Sequence, residues 1–447
     1  MTEINLHHAQ DKWNNTTVTV FRFVFIFLLL LTIPLDPAYY ARILSIDVFH
    51  LHFQDLFQLT NYVPRLLHIS SWGIASYAGW GIAAVAALIG TAVWPLAEKN
   101  QSGERNYDQL YYWLRVIIRY RLALALIGYG VIKLIPVQIP APTLSDLNTA
   151  YGSFLPWKIY YLSTGVAAAY YEPTLGAIEI LAGLLLLSSR TTVIGAAIAA
   201  SLLINIVLVN YAYQLGEHVY SVYLLILSAF LLAYDTPRLY QLLVAGTAST
   251  ADRFKPVFAY QNIQKIRRPA KILVLLFTIT YAFITYQDDQ KSRWPFPDQA
   301  GVAYGLYNVK EFRINNVTLP YSLTDSTRWQ DVVFEKWNVL SIGANKRFPI
   351  NLHGPELEYQ QDFARRYESE GNGGRAFYSY TVKDSTIHLY NKNVPADKLT
   401  FSISRPDQST IILSGLTASN DSLRIVLNRL DKQYLLHKGR RKPVTIL

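Results

Sequence analysis

Cysteine is absent from the 447 residues, and methionine occurs once. The absence of cysteine excludes disulfide staples, cysteine-ligated zinc or iron–sulfur clusters, thiol nucleophiles and covalently attached c-type haem. Any redox chemistry must borrow its electron carrier. Charge is also scarce: Asp, Glu, Lys and Arg make up 16% of the chain and hydrophobic residues 51%, where a soluble domain is about one quarter charged. Much of the surface therefore faces something other than water. The first apolar run, Thr17 to Leu35, follows a polar 16-residue leader and lacks a small-x-small exit site, so it reads as a retained anchor.

What charge there is leans positive, with 41 Lys and Arg against 31 Asp and Glu. The positives gather beside apolar segments instead of forming a stripe, so the expected partner is a lipid bilayer and not nucleic acid. A bilayer core about 30 Å thick needs roughly 20 apolar helical residues. Seven segments approach that requirement, near 17–34, 69–94, 109–135, 173–188, 191–211, 218–235 and 270–287. Lys and Arg concentrate between the second and third segments and between the sixth and seventh. Cytoplasmic loops hold such an excess, which predicts a cytoplasmic amino terminus and an external carboxyl terminus.

The stretch from Pro136 to Tyr171 is too apolar for a free loop and too broken for a crossing helix, with Lys158 as its one basic residue. It is expected to lie at the interface or to fold back over the helices. After Tyr286 the character changes to strand-like alternation, seen at 376–381, 386–390, 399–404, 410–414 and 423–427, with a hairpin connection at Arg405–Gln408. The prediction is a multi-pass α-helical membrane domain over 1–288, followed by an antiparallel β domain, barrel or sandwich, over 289–447. Gly371 to Gly374 reads as a flexible loop.

Ionisable residues inside hydrocarbon are functional candidates. Glu179 is the clearest: Gly176 and Gly183 share its helical face, where a second helix can approach and shield the carboxylate. A structural contact between helices is the competing account. Lys133, with Tyr129 one turn earlier and Pro136 stopping the helix, either snorkels outward or meets Glu179 as a partner or base. Asn205, Asn210 and His218 are candidates to line an external cavity, or simply to bond helix to helix. His50, His52 and Asp55 resemble a metal cluster only weakly, so no metal site is expected.

Three stretches, Arg119-Tyr-Arg-Leu-Ala-Leu-Ala-Leu-Ile-Gly-Tyr-Gly-Val-Ile-Lys133, Gly176-Ala-Ile-Glu179-Ile-Leu-Ala-Gly-Leu-Leu-Leu-Leu187 with Arg190-Thr-Thr, and Leu231-Leu-Ala-Tyr-Asp235, resemble the DoxX-like family of bacterial membrane proteins. The likeness covers about residues 110–240. It implies a four-helix membrane core in the bacterial inner membrane, with Arg119, Lys133, Glu179 and Arg190 at positions of the family pattern. The family's namesake belongs to a thiosulfate:quinone oxidoreductase. Three functions stay open: a redox component holding a quinone beside Glu179 and Lys133, a non-enzymatic anchor presenting a periplasmic β domain to a membrane or periplasmic protein, and a small transporter.

Overall fold

The computed structural model describes residues 13–47, 49, 53–62, 72–99, 107–135, 139, 142–166, 170–248, 269, 272–281, 283–284, 303–350, 368–417 and 420–438. The chain forms two compact units. One comprises Met1–Ile135 and Pro173–Asp288, the other Pro136–Glu172 and Asp289–Leu447. In this division the segment 136–172, expected to be part of a helical domain over 1–288, groups with the β structure and not with the helices.

The helical unit contains α1 (Asn15–Thr32), α2 (Pro37–Leu44), α3 (Phe53–Thr60), α4 (Ala78–Lys99) and α5 (Tyr107–Leu134) before the chain leaves it. The excursion 136–172 carries α6 (Leu144–Leu147) and α7 (Pro156–Val166), and the chain returns along α8 (Tyr171–Leu186). There follow α9 (Thr192–Ala212), α10 (His218–Ala233), α11 (Thr236–Leu243) and an apolar stretch, α12 (Ile272–Tyr281). Local chemistry sets several ends. Asn14 caps α1 by accepting from Thr17 N at 2.8 Å, and Asp36 caps α2, whose first residue is proline.

Three helical stretches, Asn15–Thr32, Ile74–Leu96 and Thr192–Ala212, are long and apolar enough to cross a membrane, and the pair α10–α11, bent by 67°, makes a fourth if counted as one span. Large apolar side chains stay exposed on them, among them Val85, Leu88 and Ile89 of α4 and Ile194, Ile204 and Leu208 of α9. The expected seven crossings are not supported. Arg115, Arg119, Arg121 and Lys133 interrupt α5, α8 has only 16 residues, and the described part of the last segment is shorter still.

In the second unit nine strands pair antiparallel: β1 (Gly305–Ile314), β2 (Val317–Thr318), β3 (Trp329–Phe334), β4 (Val339–Ala344), β5 (Arg375–Lys383), β6 (Thr386–Asn391), β7 (Lys398–Ser404), β8 (Thr410–Leu416) and β9 (Ser422–Leu430). Strand β1 pairs with both β3 and β9, so eight strands close an up-and-down barrel and β2 forms a short hairpin on the end of β1. Closure leaves no long unpaired edge. Asn315 and Asn316, at φ of 48° and 67°, make the two-residue turn into β2. The hairpin expected at Arg405–Gln408 joins β7 to β8, where Asp407 Oδ1 accepts from the amides of Ser409 and Thr410, each at 2.7 Å.

Side chains fill the barrel interior. Phe312, Phe334, Phe401, Ile387, Leu413 and Ile425 are each at most 2% exposed, and burial of such a side chain contributes roughly 1.5–3 kcal/mol. Along β6 to β9 buried and open positions largely alternate, as expected of a wall with one wet face. Strands β3 to β5 differ: much of each is buried on both faces. Their outer face is covered by the 142–161 part of the excursion, here called the strap.

The strap is fastened along its length. Ser145 N donates to Glu335 Oε1 at 2.8 Å, Leu155 N donates to Gly371 O at 2.8 Å, and Gly373 N donates to Ser153 O at 2.9 Å. This arrangement corrects the reading of Gly371–Gly374 as a flexible loop. Gly371 takes a positive φ of 67°, and a Cβ there would lie 2.6 Å from the Trp157 ring; one on Gly374 would lie 2.9 Å from Ser153 Cβ. The glycines are the seam on which the strap lies, because only a bare backbone permits so close an approach.

Candidate functional site

In the helical unit, α5 and α8 cross at bare backbone. A Cβ on Gly176 would meet Gly130 O at 2.5 Å and Leu134 N at 2.6 Å, and one on Gly183 would meet Ala123 O at 2.9 Å. The close crossing brings Lys133 Nζ to 2.5 Å from Glu179 Oε1, with side-chain exposures of 14% and 3%. Glu179 Oε2 is buried and has no hydrogen-bond partner among the described residues. Lys133 Nζ also lies 5.5 Å from the centre of the Tyr129 ring, within cation–π reach. That ring packs edge-on against Phe57 at 4.9 Å and against Tyr220 at 5.9 Å. The result is an ion pair walled by aromatic rings, with one carboxylate oxygen unmatched.

The other sequence candidates lie elsewhere. Asn210 is buried and donates from Nδ2 to Ser221 Oγ at 2.9 Å. His218 Nε2 lies 2.8 Å from Ser76 Oγ, and its ring lies 4.0 Å from that of Trp72. Asn205 is exposed on α9. Five helical residues separate it from Asn210, a rotation of about 140°, so the two cannot line one cavity. Arg119 is buried, its guanidinium 5.4 Å from the Tyr120 ring centre. Arg190 is exposed in the turn between α8 and α9. His50 and His52 lie outside the described residues, and among those described no group of acidic and histidine side chains could hold a metal ion.

Two functional-looking features escaped the sequence reading. The first is Arg121, which donates to the carbonyls of Thr60, at 2.7 Å, and of Tyr62, and to Tyr220 Oη at 3.2 Å. Tyr220 in turn donates to Asn61 Oδ1 at 3.0 Å. Arg121 thereby fastens the carboxyl end of α3 against α5, where Gly128 leaves room for Thr60 and Asn61. Its signal in the sequence was an arginine amid an apolar helix, the same signal that singled out Lys133.

The second lies under the strap. Asp331 on β3 pairs with Arg375 on β5 across Gly343, whose missing side chain leaves the space between them. Arg375 Nε donates to Ser341 Oγ at 2.7 Å, Ser341 Oγ lies 2.7 Å from Ser145 Oγ, and Ser145 Oγ lies 2.6 Å from Glu335 Oε1. Asp146, Lys158, Glu368 and Glu370 are buried in the same unit. Burial pushes the Glu335 carboxyl up to about 7, against the pull of the Ser145 donors. Burial also holds Lys158 below the ordinary lysine range, while Asp146, Glu368 and Glu370 pull it back up. Lys158 was noted as the one basic residue of its segment, but nothing local revealed what covers it.

These features define a class: a chain with several helices of membrane-crossing length, an ion pair between two helices, and an eight-stranded antiparallel barrel in a unit built from two chain segments. The chain belongs to the same family as uncharacterized protein YwoB of Bacillus subtilis (strain 168), with which it is 33% identical over 119 residues, 26% of this chain and 73% of that protein. No family model and no solved structure matches it.

Proposed function

We propose that the chain is a multi-pass protein of the bacterial inner membrane whose helical unit takes up a lipid-soluble, proton-exchanging ligand of the quinone class at Lys133 and Glu179. The observation that carries this reading is the buried Glu179 Oε2, which has no donor among the described residues although its sister oxygen is held by Lys133. Unsatisfied buried polar atoms are uncommon and mark places where a partner is missing. A hydroxyl-bearing ligand supplies that donor, and Lys133 Nζ retains donors for a carbonyl oxygen. The residues therefore fit a quinone and its reduced form. When bound, such a group supplies the two-electron change that a cysteine-free chain cannot supply itself. Glu179 accepts or returns the proton, Lys133 holds the carboxylate in place, and the Phe57, Tyr129 and Tyr220 rings give the apolar wall.

The full seven-helix topology belongs to this proposal. Charges within α5 are compatible with hydrocarbon because they are matched internally, Lys133 by Glu179 and Arg121 by two carbonyls and Tyr220. The Lys and Arg asymmetry supports a cytoplasmic amino terminus and a periplasmic barrel. The DoxX-like resemblance of residues 110–240 supports the quinone reading.

A second reading has its own observation. The glycine seam at Gly130, Gly176 and Gly183 is what a helix clamp requires, and the barrel would then be the working part, presented to a membrane or periplasmic partner. Purification in mild detergent, with mass spectrometry of the lipid extract, separates the two. The proposal expects near-stoichiometric quinone with the wild type and a loss of at least tenfold with Glu179→Gln. Equal, trace quinone in both proteins, with only a lowered melting temperature in the variant, leaves the clamp.

A further inference from the structure

His218 takes no part in the site at Lys133 and Glu179, and its surroundings have a chemistry of their own. It is 5% exposed at the start of α10. Its Nε2 lies 2.8 Å from Ser76 Oγ, in the tight turn that opens the helical stretch Ile74–Leu96. Its Nδ1 faces the Leu215 carbonyl at 3.4 Å, and the Gly216 backbone is a second acceptor for the ring. Carbonyl oxygens only accept, so in the neutral ring the proton sits on Nδ1, and Nε2 is left bare towards the serine. A hydroxyl against a bare imidazole nitrogen, with the far nitrogen held by an acceptor, is the arrangement that activates a serine as a nucleophile.

The single Ser76 hydroxyl proton has two acceptors, His218 Nε2 and the Gly73 carbonyl, the latter at 2.5 Å. Turning the hydroxyl about its Cβ–Oγ bond passes the proton from one acceptor to the other while the oxygen stays in place. Ser76 is half-buried in the first turn of a 23-residue helix, whose positive end favours negative charge developing beside Oγ. Aromatic rings gather around the pair. The Trp72 ring lies 4.0 Å from His218 and 5.3 Å from Tyr211, and the Tyr77 and Tyr211 hydroxyls are 2.6 Å apart. Trp72, Tyr211 and Ile74 are exposed, Ile74 at 93%. The pair is thus bordered by exposed apolar and aromatic surface, at an end of two helices of membrane-crossing length, Ile74–Leu96 and Thr192–Ala212. Such a border suits a fatty-acyl chain at the bilayer surface.

We propose that Ser76 and His218 form a hydrolytic dyad acting on fatty-acyl esters at the membrane surface. Ser76 Oγ bonds to the acyl carbon as its proton passes to His218 Nε2. The bond from that carbon to the alcohol oxygen breaks, and the alcohol leaves with the proton from Nε2. Water then attacks the acyl-serine, gives a proton to Nε2, and releases the fatty acid as that proton returns to Ser76 Oγ. Ser76 is the nucleophile and His218 the general base and acid; the Leu215 carbonyl positions the ring. The dyad shares no residue with the Lys133–Glu179 pair, so it stands independently of the quinone reading.

The test uses the full chain in mild detergent, a fluorophosphonate probe with peptide mapping, and p-nitrophenyl octanoate as substrate. The wild type is expected to carry label on Ser76 and to release nitrophenol at a rate that Ser76→Ala loses. His218→Gln is expected to slow the labelling of Ser76 by about 100-fold, the usual contribution of a general base. Absence of label from Ser76, or of ester turnover, in the wild type overturns the dyad whether or not either variant folds. So does turnover that Ser76→Ala retains, or Ser76 labelling that His218→Gln leaves at the wild-type rate. A purely structural hydrogen bond between the two residues predicts those results.

Discussion

Breaking the Lys133–Glu179 pair from one side or from both gives different results. Lys133→Met leaves Glu179, 2% exposed, without the cation and donor that Lys133 supplies, and removing one partner of a buried pair costs about 3–5 kcal/mol. Glu179→Leu leaves an ammonium whose side chain is 14% exposed. A lysine stem can turn such a group outward, so the cost is lower, about 1–3 kcal/mol. Lys133→Met with Glu179→Leu puts two apolar side chains of similar volume at the crossing of α5 and α8, and replacing a whole buried pair in that way is close to neutral. The double variant is therefore expected to be more stable than Lys133→Met alone, and a near-neutral double against the two single costs gives a coupling of about 4–8 kcal/mol. Unfolding in detergent, followed through the 9 tryptophans, measures all four proteins. Additive losses, agreeing within about 0.5 kcal/mol, would refute the pair as an energetic unit.

Three further outcomes follow from named contacts. Gly371→Ala forces a side chain to φ 67° and to 2.6 Å from Trp157; strap amides should exchange at least tenfold faster while β6 to β9 keep their protection, as read by hydrogen exchange. Phe401→Ala empties a fully buried position inside the barrel and should cost about 3–5 kcal/mol in chemical denaturation. Arg121→Met removes the donors that hold the Thr60 and Tyr62 carbonyls, and the chain lacks cysteine, so a thiol placed at Leu59 should be labelled by maleimide several-fold faster in that background.

Legibility followed solvent contrast. Lys133 and Glu179 stood out because a charge in an apolar helix is locally visible, and both ends of their contact were named. Strands β6, β7 and β9 were legible for the same reason: their outer face is wet, so Ile387, Phe401 and Leu423 alternate with polar neighbours. Strand β4, Val-Leu-Ser-Ile-Gly-Ala, carries no such pattern, because the strap dries its outer face. Glycines at 371–374 were misread because composition does not separate mobility from close approach. Length and composition alone do not support a crossing at α5, whose charges are matched by residues as distant as Thr60 and Glu179. Pairings across such distances do not appear in a local window.

The most direct test of the central claim is photoaffinity labelling of the purified protein with an azido-quinone, followed by peptide mapping. The account predicts label on α5 or α8 within reach of Tyr129, Lys133 or Glu179, displaced by excess unlabelled quinone and lost in Glu179→Gln. Label confined to other segments, or label that excess quinone does not displace, would contradict it.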